Sequence, residues 1–122
     1  MCPMLGKKGI GFAYAWTGLQ IAWREERNFQ RQIFVAVCVL LAGVFFRLDP
    51  LEWLFVVAAI GMVLTAELLN TSLEELCDMH KTDHDPHIAK IKDLAAAAVF
   101  VSSCTALILG CIIFIPHIIF SI

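Results

Sequence analysis

The chain has 122 residues, 60% of them hydrophobic and only 16% charged, against roughly 45–50% apolar residues in soluble domains. A water-soluble fold of this length has no means of hiding so much apolar surface, and a formal net charge of −2 gives no electrostatic case for nucleic acid as a partner. The five cysteines form no CxxC pair and three of them, Cys38, Cys104 and Cys111, sit inside apolar runs, which argues against a disulfide framework or a zinc site. No internal repeat or low-complexity stretch divides the chain, so residues 1–122 are expected to form one unit.

The first expected element covers about residues 7–27. Phe12, Trp16, Leu19 and Trp23 recur at i, i+4, i+7 and i+11 as one apolar stripe, and Gln20, Arg24, Arg27 and Arg31 line up as a polar, basic stripe beside it. This pattern predicts a helix lying on the membrane surface with its aromatics at headgroup level; a soluble helix packed on a partner is the alternative. Glu26 departs from the pattern, because 100° per residue projects it near the apolar stripe.

Three apolar stretches follow, at about residues 28–48, 51–73 and 94–115, each near the roughly 20 residues a helix needs to cross ~30 Å of hydrocarbon. The first begins too late and runs too long for a cleaved secretory signal. Arg47-Leu48-Asp49-Pro50 is a very short, turn-favouring connection, so the first two spans are expected to be an antiparallel hairpin. The next connection is longer and more polar. Of the nine Lys and Arg residues, eight flank one side of this layout: Lys7, Lys8, Arg24, Arg27 and Arg31 at its start, and Lys81, Lys90 and Lys92 between the second and third spans. That asymmetry puts the N-terminus and the second connection in the cytoplasm and the C-terminal Pro116-His117-Ile118 end on the opposite side.

The second span ends in an acidic ladder. Glu67, Asn70, Glu74 and Asp78 are spaced i, i+3, i+7 and i+11, which keeps them within an arc of roughly 80° on a helix. A carboxylate inside a membrane segment costs several kcal/mol unless it finds a partner, so it points to function. Glu67 lies about 10 Å inward of Glu74. Carboxylates and an amide carbonyl are hard oxygen ligands of the kind that hold Mg²⁺ together with substrate phosphates, and a carboxylate in a half-apolar setting suits a general base. Glu75 points away from this face and is expected to be solvated. Beyond the connection, Lys90, Lys92 and Asp93 lead into an alanine run that permits close helix packing; Lys92 would either neutralise phosphate charge or anchor the helix at the interface. His80, His84 and His87 are spaced 4 and 3, but Pro86 interrupts them and they read as a solvated loop. No GxxxxGK[ST] loop, GxGxxG loop or protein-kinase signature is present. Physical reading alone thus reaches an intramembrane acidic site, and leaves a proton or cation translocator as open as an enzyme; a noncatalytic assembly subunit would give no reason for Glu67.

The run Glu67-Leu68-Leu69-Asn70-Thr71-Ser72-Leu73-Glu74-Glu75-Leu76-Cys77-Asp78 resembles the E-x-x-N-[TS]-x-[IL]-E-x-x-x-D signature of the prokaryotic diacylglycerol kinase family. The Ala22-Trp23-Arg24-Glu25-Glu26-Arg27-Asn28 segment, the Lys92-Asp93 pair before an alanine-rich third span, and the three-span layout with a surface helix are similar to that family too. The resemblance implies an all-α homotrimer in the bacterial cytoplasmic membrane, with cytoplasmic active sites that move a phosphate from ATP to a membrane lipid alcohol with Mg²⁺. In it Glu67 resembles the catalytic base, Glu26 and Glu74 the metal-binding carboxylates, and Asn70 a site asparagine; Lys92 and Asp93 match nucleotide contacts, Lys92 at the phosphates, and Asp78 and Tyr14 match positions near the nucleotide. Glu25-Glu26-Arg27-Asn28 looks more like the undecaprenol kinases of the family, so undecaprenol is the expected acceptor and diacylglycerol the alternative. The Ala89-Lys90-Ile91-Lys92-Asp93 approach is one residue tighter than the commoner A-K-x-x-K-D, and Ala97 stands where Gly is frequent; both bear on the path of the connection.

Overall fold

The computed structural model describes residues 10–80 and 85–121. They form four helices in chain order: α1 (Ile10–Glu25), α2 (Arg27–Phe46), α3 (Pro50–His80) and α4 (Pro86–Ser121), with no strand among the described residues. Helices satisfy every backbone hydrogen bond within one segment, which is the requirement hydrocarbon imposes. Three of the four, α2, α3 and α4, are long and apolar enough to cross a membrane. Large apolar side chains on their outer faces remain exposed, among them Phe34, Leu41, Leu54, Val101, Leu107 and Ile112. On a water-soluble monomer such a surface would drive aggregation; on this chain it faces the bilayer, and the protein is a membrane protein.

The amphipathic stripe expected over residues 7–27 does not run through one helix. Glu26 adopts an extended conformation (φ −111°, ψ 109°) and separates α1 from α2. Its N–H still donates to the Ala22 carbonyl at 2.9 Å, and its own carbonyl accepts from Gln30 N–H at 3.2 Å, so the backbone ladders of the two helices meet at this residue. The Gln30 side chain donates to the Trp23 carbonyl at 2.6 Å and so caps the end of α1. Arg27 and Arg31 therefore belong to α2, not to the surface helix.

The α2–α3 hairpin turns on local chemistry. Arg47 takes the left-handed conformation (φ 55°), its N–H donating to Val44 O at 3.2 Å while Leu48 N–H reaches Gly43 O at 3.1 Å, the paired bonds of a Schellman C-cap. Two residues later Asp49 and Glu52 cap α3 reciprocally: Glu52 N–H donates to Asp49 Oδ1 at 2.9 Å and Asp49 N–H to Glu52 Oε1 at 3.1 Å. Pro50, at the first helical position, gives up no needed N–H. Gly43 is required by the hairpin's closeness, since a Cβ there would lie 2.6 Å from the Trp53 ring.

α3 packs along α4 most extensively, α2 on α3 next, and α1 on α2. The buried core of Leu48, Val56 and Ile113, with Val39, Phe46, Trp53, Ile60 and Phe114 against it, sits at the hairpin end. There Glu52 accepts from His117 Nε2 at 3.0 and 3.2 Å, tying the start of α3 to the end of α4, with the His117 ring 6.0 Å from that of Phe46. At the other end both long helices outrun the bilayer. Thirty-one and 36 residues measure about 46 and 54 Å against ~30 Å of hydrocarbon. The polar connection expected between residues 73 and 94 is thus mostly helix, a projecting hairpin that carries Glu74, Asp78 and Lys92.

Candidate functional site

The buried stripe of α3 runs Val56, Ala59, Val63 and then Glu67, so a carboxylate occupies the position where the helical repeat would place the next core residue. Glu67 is only 4% exposed and is the buried charged residue of the described chain. Neither ion pair formed among the described residues includes it; these are Lys92–Asp78 and His117–Glu52. One turn further on, Asn70 has its carboxamide Oδ1 buried with no hydrogen-bond partner among the described residues. An amide oxygen without a donor costs on the order of 1–3 kcal/mol. Glu74 and Asp78 continue the same face outward and are exposed.

Glu26 lies at the break between α1 and α2. As N-cap of α2 it would ordinarily bind an orphan N–H, yet its carboxylate makes no capping hydrogen bond. It and Glu74 both lie within Coulombic reach of Glu67. Two carboxylates on α3 and one at the α1–α2 junction are thus near enough to repel one another. Among the described residues no ion pair on Glu67, Glu26 or Glu74 offsets that repulsion, which is the electrostatic condition a cation relieves.

Lys92 Nζ lies 2.9 Å from Asp78 Oδ1 across the projecting α3–α4 hairpin. Their side chains are 41% and 64% exposed, so water screens the pair, which adds little to stability. Its effect is positional, holding an ammonium over the acidic face. Asp93, the next residue, is exposed and makes no ion pair among the described residues. Tyr14 is half-buried on α1; partial desolvation holds its phenol above the ordinary value, leaving a neutral hydrogen-bonding group at pH 7. No hydrogen bond joins Tyr14 or Asp93 to the carboxylate group among the described residues.

Among the described residues no three His, Cys, Asp or Glu side chains stand close enough together to hold a metal ion by themselves. His84 lies outside the described residues, so the histidine spacing of 80, 84 and 87 is not seen complete. The donor set nevertheless fits Mg²⁺, which dehydrates reluctantly and is usually held by one or two carboxylates together with substrate phosphates and not by a closed protein cage. Glu26, Glu74 and the unpartnered Asn70 oxygen supply hard oxygens of that kind. What sequence reasoning missed is the interruption at Glu26; the stretch contains no Gly or Pro to announce it.

Residues 13–114 match the family model described as prokaryotic diacylglycerol kinase. The chain is 37% identical over 105 residues to an undecaprenol kinase of Bacillus subtilis, covering 86% of this chain and 85% of that one. It is 33% identical to a diacylglycerol kinase of Synechocystis over 88% of this chain and 62% of the relative, and 24% identical to a diacylglycerol kinase of Escherichia coli over 85% of each.

Proposed function

Because the chain belongs to the prokaryotic diacylglycerol kinase family, and is therefore a membrane lipid kinase with ATP as phosphate donor, we infer that its acceptor is undecaprenol, converted to undecaprenyl phosphate. The observation that carries the chemistry is Glu67, a buried carboxylate in a membrane helix with no ion-pair partner among the described residues. The acceptor is supported by the 37% identity, over most of both chains, to a protein named undecaprenol kinase.

In this reading Glu67 takes the proton of the lipid hydroxyl as its oxygen forms a bond to the γ-phosphorus of ATP. The bond from that phosphorus to the bridging oxygen breaks, and ADP leaves with the electron pair. Transfer is direct, with no phosphorylated side chain. Lys92, swung from Asp78, offsets charge on the transferring phosphate. Asn70, Asp78, Asp93 and Tyr14 orient the nucleotide around it. Glu26 and Glu74 would hold Mg²⁺, which when bound neutralises β- and γ-phosphate charge. Replacing either residue by Gln should raise the Mg²⁺ concentration needed for half-maximal activity; an unchanged metal requirement in both variants would make them ordinary surface acids.

The concentration of Lys and Arg around the N-terminus and the projecting hairpin supports an active site on the cytoplasmic face of a bacterial cell membrane, and the family resemblance supports assembly as a homotrimer. The deciding experiment incubates the purified protein with labelled ATP, Mg²⁺ and a panel of lipid alcohols. Label should enter undecaprenol in preference to diacylglycerol. The opposite preference would reassign the acceptor, and label in no lipid alcohol would return the acidic ladder to an ion-translocating role.

A further inference from the structure

An open cleft of about 430 Å³ lies between α2, α3 and α4. Its walls are apolar apart from Gln32 and Ser103, and its floor is the α3 stripe Val56, Ala59 and Val63. That is the stripe whose next member is Glu67, so the cleft's α3 wall ends about one helical turn, ~5 Å, short of the buried carboxylate. On α3 the lining extends from Leu64 to Phe55, and on α4 from Ser103 to Ile115, giving a length of about 14–18 Å at 1.5 Å per residue. Counted from Leu51, at the far end of the span, the cleft occupies depths of about 6–20 Å, while Glu67 lies at about 24 Å. The midplane of a ~30 Å hydrocarbon core falls at ~15 Å. The cleft therefore starts near Glu67, crosses the midplane and continues into the leaflet remote from the site.

We propose that this cleft seats the distal part of a single long isoprenoid chain and selects the acceptor by chain length. The inference rests on the lipid-kinase reading and deepens it. A lipid alcohol whose oxygen reaches Glu67 stands in the leaflet beside the acidic face. The tails of a two-chain glycerolipid in that leaflet end near the midplane and leave most of the cleft unused. A polyprenyl chain longer than one leaflet runs on through it. Polarity follows the same order, with Gln32 at the Glu67 end and the hydrocarbon walls beyond. Gly110 on α4 lines the cleft, and a Cβ built there meets no atom within 4 Å, so its missing side chain leaves open space where the chain would pass. Between two membrane environments the discrimination comes chiefly from packing contacts.

The test compares the full-length wild type with Gly110→Leu and a control, Gly61→Leu, whose Cβ also meets no atom within 4 Å but which does not line the cleft. Undecaprenol and the short isoprenoid alcohol farnesol serve as acceptors in lipid–detergent micelles, with oligomeric state measured on each protein. Gly110→Leu should lower kcat/KM for undecaprenol about tenfold or more and leave farnesol within about twofold, the range a filled hydrophobic pocket commands. Gly61→Leu should change neither. Equal losses for both alcohols, or no loss for either, overturn the chain-length role while leaving the kinase reading intact. A Gly110→Leu protein that loses its native oligomer shows that a second copy occupies the cleft, which also overturns it. Failure of the wild type to phosphorylate either alcohol, with diacylglycerol accepted, removes the undecaprenol reading itself.

Discussion

Glu67→Gln is expected to reduce lipid phosphorylation by ~10² to 10⁴, the usual share of general base catalysis, while Mg-ATP binding and oligomeric state survive. Gln keeps the shape and hydrogen-bonding capacity of Glu but cannot take a proton. The site helps to isolate this effect: Glu67 is buried and no ion pair depends on it among the described residues, so neutralising it leaves no opposite charge stranded and relieves its repulsion with Glu26 and Glu74. The fold should therefore be as stable as wild type or slightly more so. Thermal unfolding in detergent, ATP affinity and lipid phosphorylation on this one variant separate the roles. Loss of assembly would mark a structural acid, and turnover near wild type would require another group to deprotonate the alcohol.

Lys92→Met is expected to cost ~10² to 10³ in kcat, the range seen when one preorganised donor is removed from a developing charge. Its cost to stability should be small, because the Lys92–Asp78 pair is exposed at both ends and screened by water. Lys92→Arg should restore part of the activity, since the charge returns with a different fork of donors. If Lys92 were only an interface anchor, Met would leave kcat unchanged, and the difference between Met and Arg would vanish. Asp78→Asn supplies the complementary measurement: it frees the ammonium without removing it but takes away a carboxylate that orients the nucleotide, so KM for ATP should rise while kcat falls far less than in Lys92→Met. Equal losses in the two variants would mean that the pair matters as a strut between α3 and α4.

The acidic ladder was legible before any coordinates because a helix fixes the angle between residues and Glu67, Asn70, Glu74 and Asp78 belong to one unbroken helix. The hairpin tip was legible for a related reason. Asp49-Pro50-Leu51-Glu52 contains its own stop and start chemistry, and the caps observed there are local contacts. The break at Glu26 was not legible. Nothing in Arg24-Glu25-Glu26-Arg27 opposes a helix, and the end of α1 is secured by a side chain seven residues away, Gln30 on Trp23. The extent of α3 and α4 beyond the bilayer was underread as well, because polar residues between 74 and 93 look alike in a loop or in a solvated helix until the neighbouring helix is there to pack against.

By itself the sequence determined the class of protein, the number of spans, the side on which basic residues collect and the face that carries the carboxylates. These follow from transfer free energies and from helical periodicity, which act residue by residue and need no knowledge of what lies across the fold. Only the tertiary structure decided that Lys92 lies 2.9 Å from Asp78, that His117 closes on Glu52, and that an apolar cleft opens between α2, α3 and α4 about one helical turn from Glu67. Each of these joins residues on different helices, and the relative placement of helices is set by side-chain packing between them, which no period within a single helix encodes.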